Sequence, residues 1–336
     1  MTIISETLKK ENSMKKNIFY SALLLLAAGC CLTACSDDEL SSESVIVADK
    51  TTAVENDLDR WLTANFLDPY NIQIKYRYED NESNMSYYEV PSRIEDANIL
   101  AHILKYCCVE AYDNTAGIDF TRKNFPKLFF FTGEWRYKNN GTMTLGTAEG
   151  GKKIFLLGTR YLSPIINGER SYGTQSFEYG TDVIKNLNHY YLKTIHHEFT
   201  HILNQTQPYS TSYKLITSDS YVADTWNEAP NNTGYLGRGY ISAYSQKEDR
   251  EDFAEIMAIY ITNTAAQWET WMQEAGETTN DNGKTGRQLL EQKLSIVRDY
   301  MKKSWNIDMD ALRAEILKRQ EDVANHQIDL TDLTIY

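Results

Sequence analysis

The chain has 336 residues, 42% of them hydrophobic and 12% aromatic, and a formal net charge of −13. That composition supports a large folded core and excludes a disordered chain. The acidic balance excludes the basic face that a nucleic-acid binder needs for phosphate, so no nucleic-acid partner is expected.

From Met14 the chain reads MKKNIFYSALLLLAAGCCLTACSDDE. Lys15 and Lys16 make a basic start, and Phe19 to Ala28 make an apolar core too short to span a bilayer permanently. The following Leu32-Thr33-Ala34-Cys35 resembles the bacterial lipobox, which implies cleavage before Cys35 and lipidation of its thiol. Residues 1–34 are therefore read as a signal segment and 35–52 as a tether. The acidic run Ser36-Asp37-Asp38-Glu39 resembles the surface-export signal of some Gram-negative lipoproteins. The expected location is the cell envelope, with a lipid anchor in the outer membrane and possible display at the surface. Cys30 and Cys31 leave with the signal, and the adjacent Cys107 and Cys108 strain against bridging each other. They lie in an apolar helical run and are read as buried thiols.

Residues 54–67 carry apolar side chains at helical spacing through Leu58, Trp61, Leu62 and Phe66. NIQIKYRYED (71–80) alternates like a strand, a helix follows over 94–112, and KLFFFTGEWRY, TMTLGTAE and KKIFLLGTRYL form a β-rich stretch. Asn139-Asn140-Gly141 and Gly150-Gly151 are hairpin signals. A long helix is predicted from Asp182 to Asn204, with a buried stripe of Val183, Leu187, Tyr191 and Ile195. A loop fills 206–243, a second helix begins near Lys247, and amphipathic helices cover 284–304 and 309–325. The order gives an α+β fold: a mixed helix and sheet lobe over 53–180, then an all-helical lobe over 181–336.

The helix over 182–204 contains HHEFTH. His197 and His201 lie four apart on one helix face and can aim imidazole nitrogens at one cation. Glu198 sits beside them, placed to reach a water without being a ligand. His196 points about 100° away and is read as a packed or solvent-facing neighbour. His189 lies too far along the axis to join. Catalytic zinc takes three protein ligands, and the HExxHxxGxxH continuation is absent, so the third must come from elsewhere. GYISAYSQKEDREDFAEIMAIYIT offers Glu251 and Glu255 on a strongly apolar helix, where carboxylates are costly unless paired or metal-bound. Ala254 and Ala258 would let that helix approach the first one closely. Asp252 competes with Glu251, and Glu228 is a further candidate in a loop.

HEFTH followed by Tyr244 and Glu251-Asp252-Phe253-Ala254-Glu255 resembles the gluzincin pattern of lethal-factor-type metallopeptidases. There a tyrosine lies seven residues before the zinc-binding glutamate and a second acid four residues after it. The resemblance implies a zincin-like fold with the active-site cleft between the two lobes, and Zn2+ as cofactor. It also implies Glu251 as third ligand, Glu255 as partner of a ligand histidine and Tyr244 as transition-state donor. With the lipobox, the chain also resembles the zinc metallohydrolase lipoproteins encoded beside TonB-dependent nutrient importers, which implies such an importer system as a partner. In the zincin layout the edge strand lines the cleft and can pair with an extended substrate.

These features predict a lipid-anchored zinc metallopeptidase. Glu198 serves as general base and Tyr244 as oxyanion donor. Two alternatives stand beside it. One is a zinc hydrolase of glycopeptides or other amides in nutrient uptake, with Trp226, Tyr235, Tyr240 and Tyr244 stacking on sugars. The other is a binding lipoprotein without turnover, which has no need of Glu198.

Overall fold

The computed structural model describes residues 55–82, 86–138, 143–149, 151–170, 180–279 and 283–335. The signal segment, Cys35, the tether and Asn139-Asn140-Gly141 lie outside the described residues. Helix α1 (Asp57–Leu62) starts at a capping box in which Asn56 and Asp59 satisfy each other's backbone N–H groups. Strand β1 covers only Gln73–Lys75, shorter than the alternation over 71–80 predicts. Beyond Lys75 side-chain bonds replace strand pairing, since Tyr76 and Arg77 both donate to the Asp59 carboxylate.

Helix α2 (Ile94–Ile103) runs through a π-helical turn, Leu104–Val109, into α3 (Glu110–Ala116), and α4 follows (Ile118–Asn124). Cys107 and Cys108 are free and fully buried in that turn, and burial pushes both thiols up. The strands are β2 (Leu128–Phe131), β3 (Arg136–Tyr137), β4 (Met143–Thr144), β5 (Gly146–Glu149) and β6 (Lys153–Leu156). With β1, three of them form one four-stranded sheet in the order β1-β2-β6-β5. The first three are parallel, and β5 pairs antiparallel with β6 at the edge. Phe129, Phe130 and Phe131 in β2, with Ile154, Phe155 and Leu156 in β6, are all buried. Such unbroken apolar runs belong to strands covered on both faces. A short pair, β3–β4, lies outside this sheet.

After α5 (Leu162–Ile166) every regular element among the described residues is helical. Helix α6 (Val183–Leu187) passes through a π-helical turn, Asn188–Leu192, into α7 (Lys193–Thr206). Leu187, Tyr191 and Ile195 are buried, as the four-residue repeat predicts, while Val183 at its start is only half-buried. In an unbroken α-helix the twelve steps from residue 183 to 195 would drift by about 120°. One extra residue in the wide turn removes most of that drift and keeps the stripe on the core.

Helix α8 (Asp249–Thr262) packs most closely against α7, and every residue from Glu251 to Thr262 is buried, Ala254 and Ala258 included. Helix α9 (Ala265–Ala275) was not anticipated in the sequence, although Trp268, Met272 and Ala275 give it a buried stripe. Helices α10 (Gly286–Trp305) and α11 (Met309–Ala324) complete the fold. The α+β order holds: the sheet lies in the first half and the helices close the chain. Among the described residues no helix is long and apolar enough to cross a membrane.

Candidate active site

Helices α7 and α8 set the site by phase. His197 and His201 face α8, and the first buried acid of α8, Glu251, faces back. His197 Nε2 lies 3.0 Å from Glu251 Oε2 and 3.1 Å from His201 Nε2, and His201 Nε2 lies 3.1 Å from Glu251 Oε2. Among the described residues this is the one group of three such side chains whose ligand atoms converge. Tetrahedral zinc with bonds of about 2.0–2.1 Å spaces its ligand atoms roughly 3.3 Å apart. The observed triangle is within a few tenths of an ångström of that, and two imidazole nitrogens with one carboxylate are a donor set suited to zinc. The residues present therefore fit the ion.

The charges of the cluster fit the same reading. Burial pushes the Glu251 carboxyl up, but its hydrogen bonds to His197 and His201 outweigh this and hold it well below the usual carboxylate range. Burial works against a charged His197, yet the carboxylates of Glu251 and Glu255 raise it to about 10 in the metal-free cluster. A proton on this imidazole then supplies the positive charge that a cation supplies when bound.

Glu255 lies one turn past Glu251, 1% exposed. Lys193 Nζ stands 3.0 Å from its Oε1, and Ser242 donates to its Oε2 at 2.7 Å. His197 Nδ1 is 3.0 Å from Glu255 Oε1, an ion-pair distance, though off the line of a well-formed hydrogen bond. Second-layer carboxylates in this position fix the tautomer and orientation of a ligand histidine.

Glu198 takes its place from the sheet. The backbone N–H of Ala148 in β5 donates to its Oε2 at 2.8 Å. Strand β5 can come this close because of Gly146, where a Cβ would meet Thr194 Cγ2 at 2.6 Å and the Phe155 carbonyl at 2.7 Å. Tyr244, half-buried on the loop before α8, has its ring 5.9 Å from that of His197 and 5.0 Å from that of Trp226. Burial, then the charge of Glu251 beside it, pushes its phenol far up, so it stays a protonated donor. Lys247 Nζ, 3.5 Å from Glu251 Oε1, adds a cation to the same wall. All these groups line one open cleft of about 1300 Å³ between β5 and the helices.

The remaining candidates go elsewhere. Asp252 is fully buried and points away from the triangle, paired with Lys293 at 2.6 Å and bonded by Tyr221 at 3.0 Å. Glu228 is exposed in its loop. His196 is fully buried against the Tyr112 hydroxyl, 3.2 Å away, and burial lowers it to about 3. His189 lines the cleft without joining the triangle. Of the aromatic side chains considered for sugar stacking, Trp226 and Tyr244 line the cleft, whereas Tyr240 is fully buried. Sequence reasoning missed Lys193, Ser242 and the Ala148 amide; only the spacing of Lys193, four residues before His197, could have pointed to one of them.

A family model described as "Putative zinc-binding metallo-peptidase" matches residues 51–310. The chain belongs to that family. Zinc is therefore its cofactor, in agreement with the donor set. A solved structure of a "putative zinc-binding metallo-peptidase" from Bacteroides caccae ATCC 43185 is 36% identical, with a TM-score of 0.65. The match covers 83% of this chain and 96% of that one. No curated protein matches.

Proposed function

We propose that the protein is a zinc-dependent peptidase in which His197, His201 and Glu251 hold the metal. The observation that carries this is the meeting of three parts in one cleft: the ligand triangle, the Glu198 carboxylate and the edge strand that holds it. Zinc, when bound, supplies Lewis acidity toward a carbonyl oxygen and makes water more acidic. Glu198, fixed by the Ala148 amide, takes the proton of the attacking water and passes it to the leaving amine. Tyr244 donates its hydroxyl to the oxygen on which charge develops. Glu255 orients His197, and Lys193 and Ser242 orient Glu255. The free edge of β5 offers main-chain groups to an extended peptide. Trp226, a cleft aromatic beside Tyr244, would favour a glycosylated peptide.

Cleavage of a peptide library by the purified protein tests this reading. Cleavage should stop with a zinc chelator and return with added zinc. A zinc-loaded protein that cleaves no peptide contradicts it and favours binding without turnover.

The LTAC segment supports lipid attachment at Cys35 and a place at the cell envelope, on the outer membrane, and the resemblance to importer-associated zinc metallohydrolase lipoproteins supports a TonB-dependent importer system as partner. Cys35→Ser should release the protein from the membrane fraction. Full retention contradicts the anchor.

A further inference from the structure

Asn204 lies three residues beyond His201 on α7 and lines the same cleft as Thr194, His197 and His201. Asn204 Oδ1 and Nδ2 are both buried, and neither has a hydrogen-bond partner. Leaving a buried donor and a buried acceptor unsatisfied is costly, so native proteins seldom keep such a group without a use for it. Across the cleft a second polar atom is in the same condition: Thr147 Oγ1 of β5 is buried without a partner.

The edge strand shows what is missing. Leu157 N–H bonds to the Leu145 carbonyl, so in the antiparallel register residues 145, 147 and 149 pair inward with β6. The main-chain groups of Gly146 and Ala148 point outward, and the Ala148 N–H is already held by Glu198. An extended peptide beside β5 therefore finds one outward donor already taken by Glu198, and the peptide's far edge needs a donor and an acceptor from another wall. A carboxamide carries both, in the spacing of a peptide group. Three residues along α7 place Asn204 about 4.5 Å past His201 on the helix axis, a little over one extended residue of about 3.3 Å.

We propose that Asn204 is a substrate-positioning residue that clamps the main chain of an extended peptide one to two residues from the scissile bond. The proposal rests on the peptidase reading and deepens it. The side chain lies along the wall in the free protein and turns about its terminal torsion, which is broad for an amide. Nδ2 then donates to a peptide carbonyl and Oδ1 accepts a peptide N–H. Binding thus relieves an unsatisfied group, and the free protein bears a stability penalty that its ligand removes.

This gives a signature that a packing role does not. In zinc-loaded Glu198→Gln protein, which retains uncleaved peptide, Asn204→Leu keeps the size of the side chain and removes its polarity. It should weaken the binding of a library-selected peptide about tenfold while Tm stays level or rises. Asn204→Ala should weaken binding similarly and serves if the leucine variant does not fold. Unchanged affinity in both variants overturns the clamp alone, as does weaker binding that merely follows a lowered Tm. A Glu198→Gln protein with Asn204 intact that binds no peptide overturns the clamp together with the peptidase reading.

Discussion

The facing sides of α7 and α8 and their reverse sides hold the same residue types, one position apart, in opposite roles. On the facing side, His197 and Glu251 converge with His201 into a triangle of donors about 3 Å on edge. On the reverse side, His196 and Asp252 are fully buried, and each meets a dedicated partner within the protein, Tyr112 for the imidazole and Lys293 for the carboxylate. Identity and burial do not separate the pairs. The 100° step between helix neighbours does, because it decides whether a polar group meets other ligands or a dedicated partner. The reverse side holds the helices in place, and the facing side forms the candidate metal site.

That division is most exposed at Lys293. Its ammonium is fully buried between Asp252 and the Gly239 carbonyl, 2.8 Å away. Burial pushes Asp252 up and Lys293 down, and each restrains the other. Lys293→Met strands the carboxylate and should cost about 3–5 kcal/mol of stability, read by denaturant unfolding. The folded fraction should still hold one zinc per chain. Adding Asp252→Leu should recover much of the loss, because a well-packed apolar pair replaces a buried ion pair at little cost. Loss of zinc from the folded single variant would erase the distinction between the two sides.

On the facing side, Glu198→Gln should leave zinc content intact and lower kcat by about two to four orders of magnitude. Tyr244→Phe should keep zinc and cost about 3 kcal/mol of transition-state stabilisation, seen in kcat more than in KM. If either variant lost zinc, that residue would belong to the ligand set instead.

A smaller effect lies in the pH dependence of zinc affinity. Metal-free His197 keeps its proton up to about pH 10, against an ordinary value of 6.5. Zinc must displace that proton, so apparent affinity should rise about tenfold per pH unit between roughly 6.5 and 10. In the zinc-free protein the sign is reversed. The raised His197 contributes stability that is fully present below about 6.5 and is lost as pH rises through about 10. Calorimetric titration across that range should show close to one proton released per zinc; none released would place the positive charge elsewhere.

Much of the site was legible in the sequence because it depends on local phase. The spacing of His197, Glu198 and His201 within one helix places them on neighbouring positions whatever the rest of the fold does. The same holds for Glu251 and Glu255 on α8, although their roles, like that of Tyr244 on the loop before it, came from the family pattern and not from spacing. Groups from distant segments were not legible. Ala148 reaches Glu198 across 50 positions, Lys193 reaches Glu255 across 62, and neither contact leaves a periodic trace. The sheet order was also hidden, since β1, β2 and β6 pair in parallel through long connections and only the β5–β6 hairpin is local. Wide turns such as Asn188–Leu192 interrupt helices without proline or glycine, so nothing in composition marks them.

The most direct measurement is the zinc content of Glu251→Gln and Asp252→Asn, determined in parallel by metal analysis and normalised to folded protein. Glu251→Gln replaces an anionic ligand by a neutral amide and should lose most of its zinc. Asp252→Asn should fold less stably, because Lys293 loses its counter-charge, yet keep one zinc per chain. Zinc retained by Glu251→Gln and lost by Asp252→Asn would contradict the assignment of the two helix sides.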